Sequence, residues 1–317
     1  MSMFYFFVQQ MVICAIPLLV VALAGVFSER GGILNFSLEG IMLAGGFVGA
    51  FYLHGFGQSG GTQSDYIVAV LLAGIAGVAI ILPHAISAIS LNGNQIISGM
   101  AINLLTPAAT IIIARSLVGR IQIEFANTYM IREVPFLSDI PVLGGLFFKN
   151  TYVTNLLGPI VLIIALIIFN KTRFGSHLKA CGENPHAAAS TGINVAKTRY
   201  IGVLLSGFFG GMGGLIFIIP NTTEFASTVA GYGYLAVAVV IFGQWNPMRI
   251  LFAAFFFGFM KTIANLYTIM PFLVDLGVST YLYKMIPYAA TIVILFIVTK
   301  RSAQPKGLGV VYDVGGN

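Results

Sequence analysis

The chain has 317 residues, 58% of them hydrophobic and only 8% charged, with a formal net charge of +6. A water-soluble domain carries about 25% charged residues because its surface must be solvated, so a soluble globule of this size is excluded. The mean hydropathy of +0.94 and the 37 glycines fit a chain dissolved in a bilayer, where glycine lets helices approach closely.

Apolar runs follow in chain order at 4–27, 33–53, 66–83, 96–113, 152–169, 200–219, 226–243, 250–268 and 283–299. Each is near the roughly 20 residues needed to cross a hydrocarbon core. They predict an all-α polytopic membrane protein, one domain over residues 1–317, with about nine transmembrane helices (8–10 if a segment is broken or re-entrant). The first run lacks a basic leader and is long enough to span, so it is expected to stay as the first helix. Cys14 lies in that run and Cys181 in a basic loop, which predicts no disulfide framework.

The second run carries Asn35 and Glu39, four apart and hence on one helical face. Polar groups inside a bilayer are costly and usually functional. These two either line a broken helix beside a pathway, or Glu39 is tied to Arg30 or to backbone near the inner interface. Asn103, in the middle of the fourth run, either bonds a neighbouring helix or touches a solute. Lys261 is deep in the eighth run, though its long stem can snorkel. Gly45 and Gly49, Gly207 and Gly211, and Gly210 and Gly214 repeat at four-residue spacing, which places bare backbone on one face for helix packing.

Two connections are long. Residues 114–151 carry Arg115, Arg120, Arg132, Lys149, Glu124, Glu133 and Asp139, an apolar stretch from Val142 to Phe148, and Pro135 and Pro141. That content predicts a loop packed on the outer membrane face. Residues 170–199 concentrate Lys171, Arg173, Lys179, Lys197 and Arg199. With Arg30, Arg249, Lys300, Arg301 and Lys306 they put ten basic residues on one side against four on the other, so loop 170–199 and the tail 300–317 are expected in the cytoplasm. Nine spans would then leave the N-terminus outside. The charge forms no long basic tract, and no nucleic acid partner is expected.

Inside the inner loop the run from Gly182 to Ile193 reads as a two-turn helix. Asn184 is a good N-cap, Pro185 suits the first helical position, the alanines favour helix, and Gly192 supplies a left-handed stop. So short a helix is marginal alone in water. It is either a peg for a partner's groove or an incidental helix on the membrane surface.

Ser28-Glu29-Arg30-Gly31-Gly32, Asn35 to Gly40, Gln95 to Gly99 with Asn103, Gly182-Glu183-Asn184-Pro185 with Ala187-Ala188, Ser206-Gly207, Gly231 to Ala238, Gly243-Gln244-Trp245-Asn246-Pro247 and Pro287-Tyr288 follow one another along nearly the whole chain. In this order they resemble the permease subunits of ATP-binding-cassette importers for branched-chain amino acids, simple sugars and nucleosides, and most of all the nucleoside type. Phe36-Ser37 and Ala189-Ser190 depart from that type, which commonly has Ile-Gly and Ala-Asp there. The resemblance implies that the segment Gly182, Glu183, Asn184, Pro185, Ala187, Ala188 and Gly192 is a coupling helix seated in an ATPase subunit. It also implies a second, related permease, an extracytoplasmic binding lipoprotein and a bacterial plasma-membrane location.

The sequence has no Gly-x-x-x-x-Gly-Lys-Ser/Thr loop to cradle phosphates, so ATP and Mg are expected on a partner subunit. His54, His84, His177 and His186 lack metal-ligand spacing, and no Gly-x-Ser-x-Gly elbow occurs. No catalytic or metal site is predicted. An ion-coupled secondary carrier is the alternative, but a relay needs several ionisable groups along one path, and Glu39 and Lys261 are the two candidates.

Overall fold

The computed structural model describes residues 2–57, 60–126, 128–135, 138, 140–141, 144–267, 269, 279–298 and 303–312; Asp139, Lys300 and Arg301 lie outside them. The helices are α1 Ser2–Glu29, α2 Leu38–His54, α3 Gln63–Ala85, α4 Gln95–Val118, α5 Leu157–Lys171, α6 Arg173–Glu183, α7 Pro185–Ser190, α8 Val195–Asn221, α9 Tyr232–Phe242, α10 Pro247–Leu266 and α11 Thr280–Val298. Asparagines start several of them, satisfying amide donors that the first turn leaves orphaned. Asn94 accepts from Ile96 and Ile97, Asn194 from Lys197, and Asn246 from Met248 and Arg249.

Among the described residues six helices are long and apolar enough to cross a membrane: α1, α3, α4, α5, α8 and α10. The count of full-length spans therefore differs from the nine runs. α2 has 17 residues and α9 only 11, because residues 31–37 and 222–231 reach them without helix. α11 has 19 residues.

α1 and α8 form the centre. The most apolar windows of these helices are 94% and 78% buried, against 28% for α4. Leu104, Leu105 and Ile112 of α4 point outward with Ile75 of α3 and Ile163 of α5, a surface suited to acyl chains. The glycine ladder of α8 permits the tight centre. A Cβ on Gly211 would run into the Ala73 carbonyl of α3, and one on Gly214 into the Met42 carbonyl of α2. Gly45 faces Gly211, and Gly77 faces Gly207. Three backbones thus touch where any side chain would separate them.

The two ends differ. At one, Arg30 Nε donates to the Trp245 carbonyl and Arg199 Nε to the Gly31 carbonyl, which gathers residues 30–34, 173–199, 244–249 and 303–312. At the other, α4 runs to Val118, so helix extends into the expected outer loop 114–151. That loop also holds strands rather than helix alone. β1 Ile123–Glu124 pairs antiparallel with β4 Glu224–Phe225, and β2 Met130–Glu133 pairs with β3 Lys149–Tyr152. The exposed ion pairs Arg120–Glu124 and Lys149–Glu133 add about 0–1 kcal/mol each.

Candidate functional site at two helix breaks

Non-helical backbone inside a membrane protein must find partners within the protein; for residues 31–37 some are backbone, such as the Ser28 carbonyl that accepts from Ile33 N–H, and the rest are side chains. The Ser28 hydroxyl donates to the Ile33 carbonyl, and the Gln95 side chain accepts from Leu34 N–H at 2.7 Å. Asn103 donates to the Phe36 carbonyl at 2.7 Å and accepts from Gly40 N–H at 2.8 Å, joining the last residues before α2 to its first turn. Asn35 accepts from Ser37 N–H and hydroxyl and donates to the Ser206 hydroxyl of α8. Asn35 and Asn103 are both buried.

The second break meets the first. One carboxylate oxygen of Glu39 accepts from Gly231 N–H at 3.0 Å, and the other from Gly233 N–H at 2.7 Å. Glu39, in the first turn of α2, thereby caps the start of α9, where an anion is favoured by the exposed amides. Arg30 is elsewhere, bonded to Trp245. Beside this junction lies a cavity of about 250 Å³ lined by Gly231, Tyr234, Leu235, Ala238, Lys261, Tyr288 and Thr291. The Lys261 ammonium lies 5.2 Å from the Tyr232 ring centre and 5.8 Å from that of Tyr288.

At the basic end, α7 is six residues long, with Asn184 accepting from Ala187 N–H, Pro185 at its start and Gly192 at φ +85° beyond its end. Pro185, Ala188 and Gly182 are buried, while Glu183, Asn184, His186, Ala187 and Gly192 are exposed. The α6–α7 elbow rests directly on the first break. A Cβ on Gly182 would strike the Arg30 carbonyl. The tail straps both together: Gly307 N–H donates to the Gly182 carbonyl at 2.7 Å and Gly309 N–H to the Gly32 carbonyl at 3.0 Å. The Tyr312 ring meets His186 edge-on at 5.1 Å and lies 5.9 Å from the Arg199 guanidinium. Burial pushes the Cys181 thiol up, with partial relief from Arg199, so this cysteine packs rather than reacts.

The motif residues are therefore gathered in space. The Trp245 indole donates to the Glu29 carboxylate, and Arg30 returns a bond to the Trp245 carbonyl. Sequence reasoning missed the tail strap, the Glu29–Trp245 pair and the Tyr234–Lys261–Tyr288 cavity. The tyrosines were visible within the matching segments around Gly231 and Pro287, but spacing alone does not bring α9 and α11 together.

A multi-helix membrane protein with two helices shortened by non-helical approaches and a short capped helix at its basic end has the build of a transport permease. The chain belongs to the family described as branched-chain amino acid transport system / permease component, which it matches over residues 7–295. It is 40% identical to the guanosine ABC transporter permease protein NupQ of Bacillus subtilis over 95% of this chain and 94% of that protein. It is 36% identical to the nucleoside ABC transporter permease protein NupC of Lactococcus lactis over 96% of each. The nucleoside ABC transporter permease protein NupB of the same organism is 32% identical over 44% of this chain and 37% of its own length. No solved structure gives a significant match.

Proposed function

We propose that this chain is the permease subunit of an ATP-driven nucleoside importer in a bacterial plasma membrane, paired with a second, related permease. The observation that carries the reading is its near full-length similarity to guanosine and nucleoside ABC transporter permease proteins. The basic end, with the tail, faces the cytoplasm. About nine helices are membrane-embedded, α2 and α9 as partial spans whose non-helical approaches supply the remaining depth. Loop 114–151 receives a substrate-binding lipoprotein on the outer side.

The ATPase partner, which carries ATP and Mg, seats the exposed side of α7, chiefly His186 and Ala187 with Glu183, Asn184 and Gly192 around them. Pro185, Ala188 and Gly182 hold α7 against the first break from within. ATP-driven closure pushes α7, the push passes through the Gly182–Arg30 contact into residues 31–37, and α2 tilts. Asn35, Glu39 and Asn103 keep the two breaks open and aligned by bonding their backbones. Both oxygens of Glu39 are engaged by amides, which disfavours the proton relay an ion-coupled carrier requires.

Radiolabelled guanosine uptake by cells carrying the chain and its ATPase partner tests the proposal. Uptake is expected to vanish when ATP is depleted with the proton gradient kept. Uptake that persists and follows the gradient overturns it.

A further inference from the structure

We propose that the cavity between α9, α10 and α11 is where this permease holds its solute, and that it takes a flat heteroaromatic base. The base stacks against Tyr234 and Tyr288, and the Lys261 ammonium donates to an oxygen of the solute. The proposal rests on the nucleoside reading above and adds the residues that contact the nucleoside.

Lys261 lies far from the basic end. It comes 14 residues after Pro247 in α10, about 21 Å along the helix from the basic end. Helical side chains lean toward the N-terminus of their helix, so its stem leads back toward mid-depth, away from the near interface. The ammonium indeed sits by the ring of Tyr232, the first residue of α9. A lysine there is too costly to face acyl chains and belongs beside water or a partner.

Among the described residues Lys261 makes no salt bridge and no side-chain hydrogen bond; its ammonium lies over two ring faces and within electrostatic reach of the Cys14 thiol. Glu39 is near enough for the two charges to act on each other, yet its oxygens are filled by Gly231 and Gly233. The cavity therefore offers free donors without a free acceptor charge, which suits carbonyl and hydroxyl oxygens and rejects cations. Tyr234 and Tyr288 both line the cavity and are 55% and 59% exposed, so the rest of the chain covers neither ring. Stacking on tyrosine suits any base, and about 250 Å³ holds one small solute.

The test uses the whole transporter complex in membrane vesicles, with Thr291→Cys as a reporter in the cavity wall. Labelling is read on this chain after the subunits are separated by electrophoresis, where its own Cys14 and Cys181 are buried and leave a low background. A charged maleimide is expected to label the new thiol, and guanosine, but not ribose, is expected to slow labelling several-fold. Tyr288→Leu and Tyr234→Leu should raise the KM for guanosine uptake roughly tenfold or more, Tyr288→Phe, which keeps the stacking ring, should raise it far less than Tyr288→Leu, and the ATPase should still co-purify with each. No labelling, equal protection by ribose, or leucine variants with wild-type KM in a complex that does transport guanosine overturns this inference and leaves the nucleoside reading standing. Wild-type complex without ATP-dependent guanosine uptake overturns both.

Discussion

Replacing Asn103 by alanine tests whether the first break is held open by side-chain bonds. The change removes one donor and one acceptor, stranding the Phe36 carbonyl and the Gly40 amide. If membrane hydrogen bonds contribute about 0.6 kcal/mol each, the loss is about 1 kcal/mol. If the two backbone groups are left without water, each costs about 1–3 kcal/mol, and the loss is about 2–6 kcal/mol. Asn103 is 7% exposed, which leaves no route for water and selects the larger range. Thermal unfolding of the purified protein in detergent should show Tm lowered by about 5 °C or more. Leu104→Ala, next in the chain but 76% exposed, should barely move it. An Asn103→Ala protein melting with wild type would refute the idea that side chains satisfy this break.

Gly211→Ala drives a methyl into the Ala73 carbonyl, so α3 and α8 must part and the yield of monodisperse protein on size-exclusion chromatography should collapse; normal yield would show that the three-helix contact is looser than described. Ala187→Glu, on the exposed side of α7, should abolish co-purification of the ATPase with Tm unchanged. Ala188→Glu, at a site 4% exposed, should lower Tm as well, and equal effects of the two would contradict the assigned faces. Tyr312→Ala removes the ring between His186 and Arg199. Amide hydrogen exchange across Gly182–Gly192 should then accelerate about fivefold, for a loss near 1 kcal/mol, whereas unchanged exchange would mean that the tail does not brace the elbow.

The class of solvent, the positions of the apolar helices and the capped turn after Asn184 were legible in the chain because each depends on local composition or on neighbours three or four residues away. The four-residue glycine spacing likewise announced close packing, and α2, α3 and α8 meet on those glycines. Long-range pairing was not legible. In sequence Glu39 was open to a place beside a pathway, to Arg30 or to backbone near the inner interface, and only the packing of α2 against α9 placed it under Gly231 and Gly233 rather than Arg30. The short lengths of α2 and α9 have the same origin. Hydropathy reads the apolar residues before each helix as membrane-borne, but whether their backbone is helical depends on partners far away in the chain, such as Gln95 and Asn103 for residues 34–40. Composition thus determined that the chain lives in a bilayer, and the tertiary structure decided where its helices break, because in a medium without water a broken helix persists only where other residues take up its hydrogen bonds.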